Sequence, residues 1–129
     1  MKLLHIAVVA FNLSIAMSAF AQDSVGVVAV RDWYSGVSID GQTDRGASFR
    51  AYHSPDGKIS AVVDGQYKNS GTWKIVEPGQ VCIAWKDTTW GTNPCYTIFK
   101  ESDQWKIVRV DDSKIYTKVK RIEGNAFGL

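Results

Sequence analysis

The alternation of hydrophobic and polar residues predicts a chain built almost entirely of short β-strands. From Gly46 onward, β-rich runs alternate with turn-forming residues at intervals of about ten residues. The predicted strands are residues 47–53, 58–64, 72–76, 81–86, 95–100, 105–110 and 114–122. The predicted turns between them are residues 54–57, 69–71, 77–79, 101–104 and 111–113. This spacing is typical of a sandwich or barrel made of hairpins.

The turns also predict how neighbouring strands pair. Pro55-Asp56-Gly57 suits a type I turn followed by a left-handed glycine, which pairs His53 with Ile59. The same reasoning at the other turns predicts the pairs Ala51–Ala61, Phe49–Val63, Cys82–Cys95, Val81–Tyr96, Ile98–Ile107, Ile107–Thr117 and Trp105–Val119. The turn at 77–79 fits this scheme only if its loop has an odd length or a bulge.

These pairings place the large apolar side chains on one face of a single sheet. The predicted buried face is Phe49, Ala51, Ile59, Ala61, Val63, Trp73, Ile75, Val81, Ile83, Trp85, Tyr96, Ile98, Trp105, Ile107, Ile115 and Val119. A meander with no second layer must curl to bury such a face. We therefore predict an all-β fold, a small antiparallel up-and-down barrel of seven or eight strands, in preference to a sandwich.

Residues 23–34 allow two interpretations. The valines at 25, 27, 28 and 30 favour a strand, whereas the spacing of Val25, Val28, Asp32 and Trp33 also suits a short amphipathic helix. We favour the helix, placed so that it plugs one end of the barrel.

The first residues have the layout of a signal peptide. One cation, Lys2, precedes an apolar run that ends in Ala19-Phe20-Ala21, and polar residues follow from Gln22. We predict a signal peptide at 1–21 and a single domain at 22–129 that is periplasmic or secreted and has no transmembrane segment. The alternative is a retained membrane anchor, but no cationic stop-transfer cluster follows the apolar run.

The charge balance argues against one class of partner. The whole chain carries 15 Lys and Arg against 13 Asp and Glu, and loss of Lys2 with the signal peptide brings the two counts within one of each other. A nucleic-acid-binding domain carries a concentrated basic charge. We therefore expect no nucleic-acid partner.

Two cysteines in an exported chain are expected to form a disulfide. Cys82 and Cys95 lie in neighbouring predicted strands on either side of a polar loop. A redox-active pair is the alternative, but the spacing is not C-x-x-C. Closing a loop of this length stabilises a fold by about 3 kcal/mol on the chain-entropy model.

Three motifs now stand in order: Ser54-Pro55-Asp56-Gly57, Gly71-Thr72-Trp73, and the two cysteines on adjacent strands. In these the chain resembles a group of small exported bacterial proteins of unknown function, over roughly residues 46–110. The resemblance implies a lipocalin-like or calycin-like small barrel in the cell envelope. It brings no catalytic residue with it.

Few residues are suited to catalysis or to metal binding. His53 is the single histidine of the predicted mature chain, which excludes multi-histidine zinc sites, and we interpret it as a partly exposed residue of the barrel rim. Most carboxylates fall in turns, where Asp bonds to the local backbone. We therefore expect no metal, no cofactor and no catalytic residue.

Two arginines fall on the predicted apolar face near strand ends. Arg109 and Arg121 could line a barrel mouth and receive a small anionic ligand, or their charged groups could extend out of the rim into solvent. We name Arg109, Arg121, Tyr96 and His53 as candidate ligand-binding residues.

The loop between the cysteines contains a tryptophan that hairpin geometry does not require. Trp90, flanked by Thr89 and Asn93, is a candidate contact for a partner or a lid over the barrel mouth, because tryptophan is a frequent hot-spot residue. Alternatively, Trp90 folds back as a plug over the core.

Together these features favour an exported, non-enzymatic binding or inhibitor-like module whose ligand is a small anion or an envelope protein. A structural or protein-interaction domain of the envelope is the first alternative, and a small secreted hydrolase is the second. An open barrel interior would favour ligand binding. An exposed apolar patch would favour a protein partner. Two facing carboxylates would favour an enzyme.

Overall fold

The fold is a closed antiparallel barrel of eight strands with one short helix at its N-terminal side. A computed structural model describes residues 27–101 and 104–129. The helix is α1 (Val27–Tyr34), and a 3-10 helix spans Thr88–Trp90. The strands are β1 (Val37–Gln42), β2 (Ser48–His53), β3 (Lys58–Val63), β4 (Tyr67–Val76), β5 (Gln80–Trp85), β6 (Cys95–Glu101), β7 (Gln104–Arg109) and β8 (Ile115–Glu123). Each strand pairs with the next, and β1 pairs with β8.

This architecture confirms the predicted up-and-down barrel with a short helix. The predicted signal peptide at 1–21 and the first part of the ambiguous segment lie outside the described residues. The eighth strand, β1, was not among the seven runs that the sequence pattern indicated. It supplies Val37 and Ile39 to the core and closes the barrel between β2 and β8.

Most of the predicted registers are confirmed. The structure contains the pairs His53–Ile59, Ala51–Ala61, Phe49–Val63, Cys82–Cys95, Val81–Tyr96, Ile98–Ile107 and Trp105–Val119. Ile75 pairs with Val81, so the loop at 77–79 has the odd length that the common face requires. The Glu77–Pro78 peptide within this loop is cis.

One predicted pair is wrong because β8 contains a bulge. Ile107 lies opposite Tyr116, not Thr117, although Trp105 keeps its predicted partner Val119. The chain therefore has one more residue in β8 than in β7 over this stretch, and Lys118 takes a φ of 52°. The bulge turns Tyr116 towards the barrel interior, where a strict alternation would have placed it outside.

The predicted turn at 69–71 is also wrong, because these residues lie inside β4. The chain reverses earlier, at Asp64 and Gly65, which both have positive φ. The Asn69 side chain donates to the Asp87 carbonyl (2.9 Å) and accepts from the Asp87 N–H (3.1 Å), so it anchors a distant loop. A Cβ on Gly71 would lie 2.1 Å from the Ala84 carbonyl oxygen, so this glycine allows β5 to approach closely.

The barrel interior is the hydrophobic core, and α1 covers one of its ends. The strands contribute to this core the buried residues Val37, Ile39, Ala51, Ile59, Ala61, Trp73, Val81, Ile83, Trp85, Tyr96, Ile98, Ile107 and Val119. Val30 and Tyr34 of α1 are equally buried, and Trp33 packs on Trp105 with ring centroids 5.2 Å apart. The helix therefore plugs the end at which β1 begins, as the sequence analysis proposed.

Candidate functional site

The end of the barrel opposite α1 contains a cavity of about 400 Å³. The β1–β2 loop, the 3-10 helix and the β7–β8 loop surround it, and we call it the mouth. Its lining residues are Thr43, Asp44, Arg45, Ala47, Phe49, Val63, Trp85, Thr89, Trp90, Tyr96, Arg109, Lys114 and Tyr116. Five of the thirteen are aromatic and six are polar or charged, so the mouth combines flat apolar rings with polar groups.

The aromatic rings of the mouth pack in a chain of edge-to-face and tilted contacts. Trp90 meets Trp85 at 5.0 Å between ring centroids, and Phe49 and Tyr96 meet Tyr116 at 5.3 and 5.8 Å. Such contacts hold each ring in a defined orientation. Burial raises the pKa of both tyrosines, with Tyr116 adding a smaller increase for Tyr96, so both phenols stay neutral over the physiological pH range.

The loop that carries Trp90 is held at both of its ends. Strands β5 and β6 share only two residue pairs before they diverge, and the disulfide Cys82–Cys95 joins one of these pairs. At the start of the 3-10 helix, Asp87 accepts hydrogen bonds from the Thr89 N–H (3.0 Å) and hydroxyl (2.7 Å). The hydroxyl bond is the main reason that the pKa of Asp87 is lowered. The loop is therefore a restrained platform that holds Trp90 at the mouth.

Two of the three predicted contact residues in this loop line the mouth, and the third does not. Trp90 and Thr89 line the cavity, and Trp90 is half-buried against Trp85. Asn93 lies instead beside Cys95 in a groove on the outer surface, with a φ of 50°.

Arg109 lies in the mouth with its guanidinium already paired. The side chain is 15% exposed, donates two hydrogen bonds to the Asp111 carboxylate (2.6 and 2.9 Å) and donates one to the Trp90 carbonyl (3.3 Å). These carboxylate bonds are the main reason that its pKa is raised. Arg109 thus joins the β7–β8 loop to the loop that carries Trp90. The Asp111 carboxylate neutralises its positive charge.

Arg121 lies at the opposite end of the barrel and does not join this site. Its guanidinium donates to the Trp33 carbonyl (2.9 Å) and pairs with Glu123. It therefore fastens the C-terminal end of α1 to β8. The two arginines that the sequence pattern grouped together are separated by the length of the barrel.

A second, much smaller cavity of about 30 Å³ lies inside the barrel, between the mouth and α1. It is lined by Tyr34, Ile39, Phe49, His53, Ile59, Val81, Ile83, Trp85, Tyr96, Ile107 and Tyr116. Three buried polar atoms on these side chains have no hydrogen-bond partner among the described residues: Tyr34 Oη, His53 Nδ1 and Trp85 Nε1. The Trp85 indole lies beside the Tyr96 hydroxyl and offsets a small part of the increase that burial causes in the Tyr96 pKa.

The interpretation of His53 as a partly exposed rim residue is wrong. It is 3% exposed, because α1 covers this end of the barrel and places the Tyr34 ring 4.7 Å from the imidazole. Burial lowers the pKa of His53 from 6.5 to about 3, so the ring is neutral in the folded protein at pH 7.

This neutral histidine predicts acid sensitivity. Below pH 6.5 the unfolded chain gains a proton at His53 that the folded chain does not, so stability is present above that pH and is lost as pH falls towards 3. We expect the free energy of unfolding to fall by about 2 kcal/mol between pH 7 and pH 5.

Urea titrations of the wild type and of His53→Gln at several pH values measure this effect. The variant should show a much flatter dependence between pH 7 and pH 5, because it lacks the titrating ring. Parallel curves for the two proteins would contradict the assignment. The range stops at pH 5 so that carboxylates such as Asp56 and Asp111, whose pKa values are lowered, do not titrate within it.

Several mouth and interior residues were missed by the sequence analysis. Tyr34 was part of an ambiguous segment, Tyr116 is turned inward by the bulge, and Arg45 lies on a loop next to an unpredicted strand. Phe49 and Trp85 were identified as core residues, and no sequence signal showed that they also face a cavity.

Within residues 27–101 and 104–129, no group of three or more His, Cys, Asp or Glu side chains is arranged to hold a metal ion. No helix in these ranges is both long and apolar enough to cross a membrane. Comparison with known proteins finds no match, whether to a family model, to a curated protein or to a solved structure.

Proposed function

We propose that the protein is an exported, non-enzymatic binding module that takes a small ligand with a flat aromatic or apolar body into the mouth of the barrel. The observation that carries this proposal is the aromatic mouth cavity of about 400 Å³. Small-molecule sites are concave, mostly apolar and on the order of 300–1,000 Å³ in volume. A disulfide-restrained loop lowers the entropy cost of ordering the Trp90 wall on binding.

The charges of the mouth favour ring packing over ion pairing as the source of affinity. Arg109 is already bound to Asp111, while Arg45 and Lys114 are exposed at the rim together with Asp44. An anionic group on the ligand would meet only these exposed rim cations, which contribute little in water. The sequence analysis expected a small anionic ligand because of Arg109, so the binding experiment below includes an anionic probe.

Export to the periplasm or exterior belongs to the same proposal. Cys82 and Cys95 form a disulfide. Disulfides persist in oxidising compartments and are rare in reducing ones. The signal-peptide layout of residues 1–21 points the same way.

The alternative functions have less support. Among the described residues, the large hydrophobic side chains that are exposed are Tyr67, Val110 and Ile122. They lie in different parts of the barrel, in β4, the β7–β8 loop and β8, and isolated exposed apolar residues are normal. Among the described residues that line the mouth, Asp44 is the single carboxylate, whereas glycoside hydrolysis uses a facing pair.

Binding of one-ring probes tests the proposal. Isothermal titration of the mature protein with ethylbenzene, phenylacetate and phenylacetamide should detect binding of at least one probe, with a change in tryptophan fluorescence. Failure of all three to bind at millimolar concentration would contradict the proposed function.

Replacing Trp90 by alanine should separate a ligand wall from a structural plug. We expect a loss of stability of only about 1 kcal/mol, because Trp90 is half-buried and packs mainly on Trp85. Probe affinity should fall at least about tenfold, as for a hot-spot residue.

The matched control is Trp105→Ala, a half-buried tryptophan at the α1 end. That variant should lose stability but keep its probe affinity. A loss of 3 kcal/mol or more in Trp90→Ala with unchanged probe affinity would show that Trp90 is a plug.

A further inference from the structure

The β7–β8 loop places two carboxylates beside the cations of the mouth. Its sequence is Asp111-Asp112-Ser113-Lys114. The loop closes tightly, because the Ser113 N–H donates to the Arg109 carbonyl (3.0 Å) and the Arg109 N–H donates to the Lys114 carbonyl (2.9 Å). The Lys114 N–H also donates to one oxygen of the Asp112 carboxylate (3.0 Å). These backbone contacts hold both carboxylates at the edge of the mouth.

Arg109 is the cation that these carboxylates mainly neutralise. Asp111 accepts hydrogen bonds from its Nε (2.6 Å) and its Nη2 (2.9 Å), and an oxygen of Asp112 lies 3.6 Å from Nε. The same Asp112 oxygen lies 3.8 Å from the Lys114 ammonium. Two parallel hydrogen bonds from one guanidinium to one carboxylate are among the strong polar contacts in proteins. Two of the three cations among the described lining residues therefore already have a counter-ion from the loop.

The guanidinium of Arg109 lies inside the mouth, whereas the other cations are at its rim. The Arg109 side chain is 15% exposed, and that of Lys114 is 48% exposed. The guanidinium lies against Gly91, where a Cβ would be 2.7 Å from Nη2 and 3.1 Å from Nη1. Burial raises the pKa of the Tyr96 and Tyr116 phenols, and the charge of Arg109 offsets part of this increase. A ligand ring that packs on these phenols therefore lies beside Arg109.

This arrangement affects which ligand charge the mouth accepts. A ligand carboxylate beside Arg109 would meet a guanidinium that already holds the carboxylate of Asp111, so two negative charges would share one positive charge. Like charges at such a distance repel, and the ligand carboxylate would also lose part of its hydration. An uncharged ligand has neither cost.

We propose that Asp111 and Asp112 determine the charge specificity of the mouth. Arg109 by itself would favour an anionic ligand, and the two carboxylates of the β7–β8 loop reverse this preference because they neutralise Arg109 from within the chain. The mouth therefore binds uncharged ring compounds and disfavours carboxylates and other anions. This inference rests on the proposed function, and it adds the charge class of the ligand.

The wild-type preference is measured with the three one-ring probes by isothermal titration of the mature protein. Phenylacetamide and phenylacetate have nearly the same shape, but only phenylacetate is anionic, and ethylbenzene has no polar group. Phenylacetate should bind at least about tenfold more weakly than phenylacetamide, because the repulsion from Asp111 and Asp112 acts on the anion alone.

The double variant Asp111→Asn/Asp112→Asn tests the two carboxylates. It keeps the shape of the loop, since an asparagine oxygen can still accept from the Lys114 N–H, and it releases the charge of Arg109. Affinity for phenylacetate should rise at least about tenfold, while affinity for ethylbenzene stays unchanged.

The matched control is Asp56→Asn/Asp64→Asn. It removes the same number of charges from two turns outside the lining of the mouth, where each carboxylate also accepts a backbone N–H. Phenylacetate should bind this control as weakly as it binds the wild type.

Adding Arg109→Gln to the double variant shows which cation is released. The ratio of phenylacetate affinity to ethylbenzene affinity should return to the wild-type value in Arg109→Gln/Asp111→Asn/Asp112→Asn. Lys114 and Arg45 are still present in this triple variant, so a ratio that stays high would contradict the role of Arg109.

The outcomes separate the two proposals. Wild-type binding of phenylacetate as tight as that of phenylacetamide, or no gain for phenylacetate in the double variant, would overturn the charge specificity and leave the mouth as a binding site. An equal gain in the control would overturn it as well, because the effect would then come from the net charge of the protein. Binding of none of the probes would overturn the proposed function together with this inference.

Discussion

Replacing Trp73 by alanine is expected to lower the free energy of unfolding by about 3–5 kcal/mol. The side chain is 8% exposed and packs in the core near His53, with ring centroids 5.7 Å apart. Its indole N–H donates to the Ser54 carbonyl (2.9 Å), and its backbone N–H donates to the Gly57 carbonyl (2.8 Å). Truncation removes the apolar contacts, leaves a cavity and removes one of two hydrogen bonds that the Ser54 carbonyl accepts, the other coming from the Gly57 N–H (3.0 Å).

Denaturant unfolding of Trp73→Ala, Trp73→Phe and Trp105→Ala measures the effect. The phenylalanine variant keeps most of the apolar contacts and loses the indole hydrogen bond, so its stability should lie between those of the wild type and the alanine variant. Trp105→Ala should lose less, because that ring is only half-buried. A loss below about 1.5 kcal/mol in Trp73→Ala would show that this ring does not hold the hairpin to the core.

The same contacts explain two of the sequence motifs. The PDG hairpin places Ser54 and Gly57 beside β4, where both carbonyls accept hydrogen bonds from Trp73 of the G-x-W motif. The glycine of that motif, Gly71, allows the close approach of β5. The two motifs are therefore parts of one packing unit, although the sequence shows them as separate features.

The parts of the fold that depend on local geometry were predictable from the sequence. Strict alternation identified the buried face, and the PDG turn set the register of β2 and β3 correctly. Two features failed because their causes are distant in sequence. Asn69 and Gly71 have turn-like identities, but they serve contacts with Asp87 and Ala84. The β8 bulge at Lys118 has no proline or glycine to mark it.

Strand β1 was missed because its own pattern is weak. Val37 and Ile39 are its only large apolar residues, and Gly41 faces the barrel, where a Cβ would lie 3.3 Å from the Thr117 carbonyl oxygen. Its extended conformation is stabilised by pairing with β2 on one side and β8 on the other. A segment whose structure depends on two partners gives little signal by itself.

The mouth was only partly predictable for a related reason. Trp90 was identified because hairpin geometry does not require it, and Arg109 because a cation falls on the apolar face. Tyr96 was named as a candidate from the predicted buried face itself. Tyr116 enters the cavity only because the bulge rotates it inward, and Arg45 lies on a loop next to the unpredicted strand. The orphaned polar atoms of the interior also depend on α1 covering the barrel end, which brings Tyr34 to His53.

Removing the disulfide in the double variant Cys82→Ala/Cys95→Ala is expected to cost about 3 kcal/mol of stability. The two cysteines are separated by 13 residues in sequence, and the bond restricts the unfolded chain across that loop. In the folded state, the bond joins β5 and β6 at one of only two residue pairs between these strands. No other described pair of neighbouring strands in the barrel has so short a ladder.

Unfolding of the wild type with and without dithiothreitol, beside the double variant, measures this contribution. The reduced wild type and the variant should have similar stabilities, and dithiothreitol should leave the variant unchanged. Probe affinity should also fall in the variant, because the loop that carries Trp90 loses the restraint at its base. Equal stability of the oxidised and reduced wild type would show that the two-pair ladder, with the hydrogen bond from the Ile83 N–H to the Pro94 carbonyl (2.9 Å), holds β5 and β6 together without the covalent bond.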